Sequence, residues 1–292
     1  EFSKGKLHSA SNIPHEPNTN LPAAAVIKAA LSIPVIASGR VEPEHADGEI
    51  ARGRFDFLAM GRKLLADPHL PRKIVEGAVR DIRPCVYCYT CVSAIYTRSR
   101  TRCAVNSECG LEYQRNALQA AAKRKRVVVV GGGPGGMEAA RLLAAAGPEV
   151  VLFEKSARLG GTLRFAALAY QANERLLDWL QLQVQSRDID VRLETEATPE
   201  ELCSLSPDDV VVATGALRNL PSIPGSDLDH VFSGDDMRDM VLGASSDRLK
   251  SKTSMFTRVA TRVGAATGIT ANLDVVRKAT RAWMPLGKNV VI

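Results

Sequence analysis

Aromatic residues are scarce in this chain, at 5% of the sequence. Basic residues cluster in three places, Arg98-Ser-Arg100-Thr-Arg102, Lys123-Arg-Lys-Arg126 and residues 248–252. No aromatic platform alternates with these runs, and the net charge of +6 is spread along the chain. That excludes a surface built for stacking nucleic-acid bases, so no nucleic-acid partner is expected. Long apolar runs are also missing, which excludes a membrane-spanning helix, and no membrane partner is expected. The N-terminus has no signal-peptide pattern, so a reducing, cytoplasmic setting is the expectation and structural disulfides are disfavoured. The chain opens on Glu1 rather than methionine, which reads as a fragment or a processed form.

With 292 residues, 45% of them hydrophobic, the chain can bury the cores of about two domains. Cysteine is where its chemistry concentrates. Four of the six cysteines, Cys85, Cys88, Cys91 and Cys103, are spaced C-x2-C-x2-C-x11-C. Three thiolates in one tight run, with a fourth arriving from a loop, suit a [4Fe–4S] cluster. Structural zinc is the rival, but it usually takes two separated C-x2-C pairs, and the second pair is absent here. Cys109 reads as a bystander and Cys203 as a core-facing residue.

Residues 1–21 are polar, and His8 and His15 there read as solvated loop histidines. From Leu21 the pattern is α/β. Pro22 opens a helix to Ala30, and Ile33-Pro-Val-Ile-Ala37 reads as a short buried parallel strand. A helix over residues 43–52 follows, then a second buried strand, Phe55-Asp-Phe-Leu-Ala-Met60. The first strand ends in Ser38-Gly39-Arg40 and the second in Gly61-Arg62, just before another helix. In a (β/α)8 barrel, the loops after the last two strands form the usual phosphate site. Glycine admits the backbone to the phosphate and arginine neutralises it.

A second domain begins near Lys125. The strand Val127–Val130 runs into Gly131-Gly-Gly133-Pro-Gly-Gly136, a G-x-G-x-x-G opening a helix to about Ala146. Val150–Phe153 is the next strand, with Glu154 at its end, placed to accept from ribose hydroxyls. Arg158-Leu-Gly160-Gly161-Thr162 and the strand ending Ala-Thr214-Gly215 complete a trio that favours FAD over NAD. Residues 216–236 are turn-rich, with Pro221 and Pro224-Gly225, and residues 244–287 read as a linker with helical runs. Lys288-Asn-Val-Val-Ile292 imitates the strand that feeds Gly131, as if a second nucleotide-binding unit were starting.

The order of Gly-Arg strand ends, cysteine cluster and FAD-type fold resembles the multidomain Old Yellow Enzyme-related flavoproteins. These include 2,4-dienoyl-CoA reductase, 2-enoate reductase and trimethylamine dehydrogenase. The resemblance implies the C-terminal end of an FMN-binding TIM (β/α)8 barrel over residues 1–80 and an iron–sulfur segment and connector over 81–122. It implies a Rossmann-like FAD domain over 123–243, a linker over 244–287, and the first strand of a truncated NAD(P)H domain over 288–292. Carried over by position, Ser38, Gly39, Arg40, Gly61 and Arg62 would hold the FMN phosphate. Cys85, Cys88, Cys91 and Cys103 would bind the cluster, and Gly131, Gly133, Gly136, Glu154, Gly160, Gly161, Thr214 and Gly215 would line FAD. The x2 spacing between Cys88 and Cys91 is closer to trimethylamine dehydrogenase than to the reductases, whereas the strand at 288–292 is reductase-like.

The resemblance implies an oxidoreductase in which a nicotinamide reduces FAD and electrons pass through the cluster to FMN and on to an activated C=C bond. The substrate class is an enoate or an enoyl or dienoyl thioester. Two alternatives stay open: an amine dehydrogenase running the flow outward to an external carrier, and a non-catalytic electron-transfer subunit. A small-molecule substrate, a nicotinamide cofactor, and either a homo-oligomeric partner or an external electron carrier are the expected partners. The catalytic residues are expected upstream of this segment.

Overall fold

The computed structural model describes residues 17–114, 125–216, 223–226, 228–242, 251–253, 255–267 and 272–282. His8, His15, Pro221 and the strand expected at 288–292 lie outside these residues. The chain divides into two units, Glu1–Ala117 and Leu118–Ile292.

In the first unit, Pro22 sits in the opening turn of α1 (Leu21–Ala30), where its missing N–H leaves no helical hydrogen bond unmade. Then come β1 (Ile36–Ser38), α2 (Pro43–Ala51) and β2 (Phe57–Ala59). The strands pair in parallel, Ile36 with Phe57 through Ser38 with Ala59. Leu21 and Ala24 of α1, Ala46 of α2, and Ala37, Val41 and Phe55 form the core between them. Two expectations need correction. The strands are shorter than the apolar runs suggested, and they are not buried on both faces, since Ile36 is 63% and Phe57 59% exposed. Strand side chains alternate between faces, and the described helices cover only the face of Ala37.

The chain continues through α3 (Arg62–Ala66), α4 (Leu70–Val75), a 3-10 turn at Val79–Asp81, α5 (Thr90–Tyr96) and a second 3-10 turn at Glu112–Gln114. Asp67, 4% exposed, buckles this segment. Its carboxylate accepts from the Lys73 ammonium at 2.6 Å, the Arg83 N–H at 2.9 Å and the His69 N–H at 3.0 Å. Burial pushes its pKa up, but the Lys73 and Arg83 hydrogen bonds outweigh this and hold it below the ordinary 3.8. A depressed carboxylate stabilises the fold above the unfolded-state pKa and loses that contribution as pH falls through the folded value. Asp67→Asn is therefore expected to cost roughly 2–4 kcal/mol at neutral pH. Urea melts should show the gap to wild type closing below about pH 4. A gap that stays constant down to pH 2 would rule the buckle out.

The second unit is doubly wound. Its elements are β3 (Arg126–Val130), α6 (Pro134–Ala146), β4 (Glu149–Phe153), α7 (Thr162–Ala169), α8 (Ala172–Gln185), β5 (Ile189–Arg192), α9 (Pro199–Ser204) and β6 (Asp209–Val212). The sheet order is β5-β4-β3-β6, all parallel. Runs of valine suit a parallel sheet covered on both faces. Val129, Val150 and Leu152 pack under Met137 and Ala140 of α6 and Leu177 and Leu180 of α8. Val128, Val151 and Phe153 face Leu202 and Leu205 on the other side. Leu202 in α9 and Leu205 at its C-cap, three apart, both face inward, which turns Cys203 outward. Cys203 is exposed, not core-facing as expected.

Residues 244–287 were expected to be a linker with helical runs, and among the described residues they hold α11 (Met255–Ala266) and α12 (Leu273–Ala282), which follow α10 (Gly234–Leu242). Leu273 joins the core under the sheet. Arg277 donates to the carbonyl oxygens of Ala167 at 3.0 Å and Leu168 at 3.3 Å, and to Glu174 at 2.8 Å. A cation bound to the last carbonyls of α7 meets the negative end of that helix.

Candidate functional site

The cysteine loop is fixed at both ends. Before it, Asp67 holds the Arg83 backbone, and the Arg83 guanidinium donates to Asn106 Oδ1 at 2.6 Å. Asn106, three residues past Cys103, also donates to the Leu65 carbonyl at 2.9 Å. Between these clamps Tyr87 and Tyr89 take the left-handed region, with φ of 52° and 67°. Turns this tight bring Cys85, Cys88, Cys91 and Cys103 around one pocket that Arg62 and Tyr87 also line.

All four thiols are free. Among the described residues, no group of three or more His, Cys, Asp or Glu is arranged to hold a metal ion. Burial pushes the Cys85 thiol up to about 11, with Cys103 adding to it while Arg62 and Lys63 pull it back. Burial also raises Cys91, helped by Cys103 and Cys88. The Cys85 Sγ accepts from the Tyr87 N–H at 3.4 Å, and the Cys88 Sγ lies 3.2 Å from Thr90 Oγ1. Cys109 is buried and lies outside the pocket lining, with its thiol raised by burial and by Cys103.

The two Gly-Arg sequences come out side by side. The Ser38–Ala59 pairing ends both strands at one edge, where Gly39 and Arg40 leave β1 and Gly61 caps α3 ahead of Arg62. The guanidinium carbons of Arg40 and Arg62 lie 4.4 Å and 5.2 Å from the centre of the Tyr87 ring. Arg62 Nη1 is buried with no hydrogen-bond partner. Tyr87 itself is 4% exposed. Nothing in the sequence spacing announced this tyrosine; the only signal was an aromatic side chain between two cysteines.

In the second unit the turn after β3 has no room for side chains at two positions. A Cβ on Gly136 would sit 1.8 Å from the Gly131 carbonyl oxygen, and one on Gly131 would sit 2.4 Å from the Ala213 oxygen. Around Gly133, by contrast, the space is open. Glu154, at the end of β4, accepts from the Gly132 N–H and the Ser156 N–H, each at 2.8 Å. Gly160 donates to the Gly132 carbonyl at 2.8 Å, and a Cβ on Gly161 would stand 3.1 Å from the Gly133 Cα. Ala213 donates to Val130, and the Thr214 nitrogen lies beside Gly131. The residues at 131–136, 154, 160–162 and 213–215 thus gather at the carboxyl edge of one parallel sheet, where such sheets bind nucleotides. Among the described residues, no helix is long and apolar enough to cross a membrane.

The pyridine nucleotide-disulphide oxidoreductase family matches residues 125–265. The bilirubin reductase of Mediterraneibacter gnavus is 43% identical over 70% of this chain and 33% of its own length. A 2-naphthoyl-CoA reductase structure superposes with a TM-score of 0.72 and 32% identity, over 80% of this chain and 36% of that one. A 6-hydroxypseudooxynicotine amine oxidase from Pseudomonas geniculata N1 superposes with a TM-score of 0.67 and 31% identity, over 77% of this chain and 36% of that one. The chain spans about a third of the length of the curated relatives it matches. Their names are those of enzymes, reductases on one side and amine-oxidising enzymes on the other, and with them the chain belongs to the multidomain flavoprotein oxidoreductases related to Old Yellow Enzyme and trimethylamine dehydrogenase.

Proposed function

We propose that this chain carries the electron-transfer centre of a nicotinamide-dependent flavin and iron–sulfur reductase acting on an activated C=C bond. One observation carries the reading: four thiols line a single pocket that also receives Arg62 from a Gly-Arg strand end. Three cysteines in one C-x2-C-x2-C run with a fourth from a loop suit a cluster better than zinc, which usually takes two separated C-x2-C pairs. Cys85, Cys88, Cys91 and Cys103 would hold a [4Fe–4S] cluster. Arg40 and Arg62, one of them with an orphaned buried nitrogen, would hold the FMN phosphate, with Ser38, Gly39 and Gly61 supplying backbone. Gly133 leaves open space for the FAD pyrophosphate, and Glu154 keeps its carboxylate at the strand end where the ribose hydroxyls would lie. Gly160, Gly161, Thr214 and Gly215 wall the same turn.

Bound there, FAD, the cluster and FMN would supply hydride acceptance from a nicotinamide, single-electron transfer and hydride donation to the substrate. The chain's own residues bind and space these groups. Burial of Cys85 keeps its proton in the unloaded protein, so ligation must release that proton. The carboxylate of Glu154 disfavours a 2′-phosphate at its site by charge.

A second reading, amine oxidation with electrons leaving to an external carrier, is favoured by the Cys88–Cys91 spacing and the amine oxidase likeness. One experiment separates them. Under anaerobic conditions NADH or NADPH should bleach the flavin of the complete protein, and an enoyl thioester or enoate should restore its colour. A flavin untouched by nicotinamides but bleached by a methylated amine would overturn the reductase reading.

A further inference from the structure

Between Cys85 and Cys88 stands a tyrosine that the cofactor reading leaves without a task. The Tyr87 ring is almost fully buried in the first unit, and three cations lie close to its centre. Arg40 lies over it at 4.4 Å, Arg62 at 5.2 Å and the Lys63 ammonium at 5.6 Å. Its hydroxyl donates to Glu42 at 3.3 Å, and Glu42 also receives Lys63. Its backbone N–H reaches back to the Cys85 sulfur. One residue therefore contacts both strand-end arginines through its ring and a pocket thiol through its backbone.

Three cations around one ring repel each other, and an aromatic face is a surface that holds cations in place without neutralising them. Glu42 takes the Lys63 ammonium, and the ring holds the Arg40 and Arg62 guanidinium groups over one aromatic face. The ring is carried by the cysteine loop itself, since Tyr87 sits in its left-handed turn with φ of 52° and bonds the Cys85 sulfur through its N–H, so a change in the loop backbone moves the ring.

We infer that Tyr87 is a positioning residue that couples the two sites: its ring presets Arg40 and Arg62 for a flavin phosphate, and cluster ligation by its neighbours fixes the ring. The coupling rests on the cofactor reading above, and by linkage it runs both ways. A filled cluster tightens phosphate binding, and bound phosphate tightens the loop.

The test uses FMN and riboflavin, titrated separately into the flavin-free complete protein and followed by flavin fluorescence. Tyr87→Leu is expected to weaken FMN about two- to thirty-fold, the range of a cation–π contact, and to leave riboflavin, which lacks the phosphate, within about twofold. Tyr87→Phe keeps the ring and should stay near wild type for both. Removing the cluster with Cys103→Ala should weaken FMN several-fold when Tyr87 or Phe is present and add nothing in Tyr87→Leu. FMN and riboflavin falling together would mark a merely structural residue and overturn the proposal. So would FMN affinity indifferent to loss of the cluster; the Tyr87→Phe and Cys103→Ala arms read this even if Tyr87→Leu fails to fold. A wild-type protein with neither iron nor FMN affinity overturns the cofactor reading, and this proposal with it, before any variant is compared.

Discussion

Protein purified without oxygen should carry about four iron and four sulfide per chain, and Cys91→Ala should carry none. Cys91 lines the pocket from the first turn of α5, where burial and two neighbouring sulfurs disfavour its thiolate unless a metal takes it up. Cys109, although buried nearby, is outside the pocket lining, so Cys109→Ala should keep full iron and sulfide. Elemental analysis with a sulfide assay, backed by visible absorption, checks both variants. One zinc and no sulfide in the wild type would end the cluster reading. Iron loss in Cys109→Ala matching that in Cys91→Ala would mean that the ligand set is drawn wrongly.

The second large effect separates two glycines three residues apart. Gly136→Ala places a methyl group 1.8 Å from the Gly131 oxygen, a distance that no side-chain adjustment relieves because both partners are backbone. The turn must open, at roughly 2–4 kcal/mol of stability, and FAD binding goes with it. Gly133→Ala meets no protein atom and sits at the N-cap of α6 with ordinary extended backbone. It should cost no more than about 1 kcal/mol of stability, since glycine is the better N-cap but no clash is made, and so melt well above Gly136→Ala. If the pyrophosphate approaches there, FAD affinity should fall about a hundredfold, roughly 2.7 kcal/mol. Thermal melts and FAD stoichiometry on the two variants give the answer. A Gly133→Ala protein with full FAD occupancy would remove the cradle assigned to this turn.

What could be read from the sequence followed how local the cause was. Gly-x-Gly-x-x-Gly between a valine strand and an alanine-rich helix dictates its own turn, and Glu154 falls at the end of the next strand because strand and helix lengths are regular. The cysteine spacing likewise announced a shared site. Burial was less legible. Ile33–Ala37 and Phe55–Met60 are as apolar as any central strand, yet Ile36 and Phe57 are exposed, because what covers a strand is decided by distant chain. Cys203 was misplaced for a related reason: Leu202 in a six-residue helix and Leu205 at its C-cap had already taken the inward side. Tyr87 was missed because its significance depends on Arg40, Arg62 and Glu42, tens of residues earlier. The helical runs of residues 244–287 were legible, but not that α12 would bury Leu273 and Val276.

The clamp made by Arg277 also orders events in time. Its bonds to the end of α7 and to Glu174 span 103 to 110 positions of sequence. Closing a loop of that length costs entropy before any contact repays it, so α12 docks only on a sheet and helix pair that already exist. The same closure cost grows only with the logarithm of loop length, about 0.6 kcal/mol per doubling. A chain fastened back to its own sheet and helices through Leu273 and Arg277 can therefore lengthen in between with little loss at the fastening.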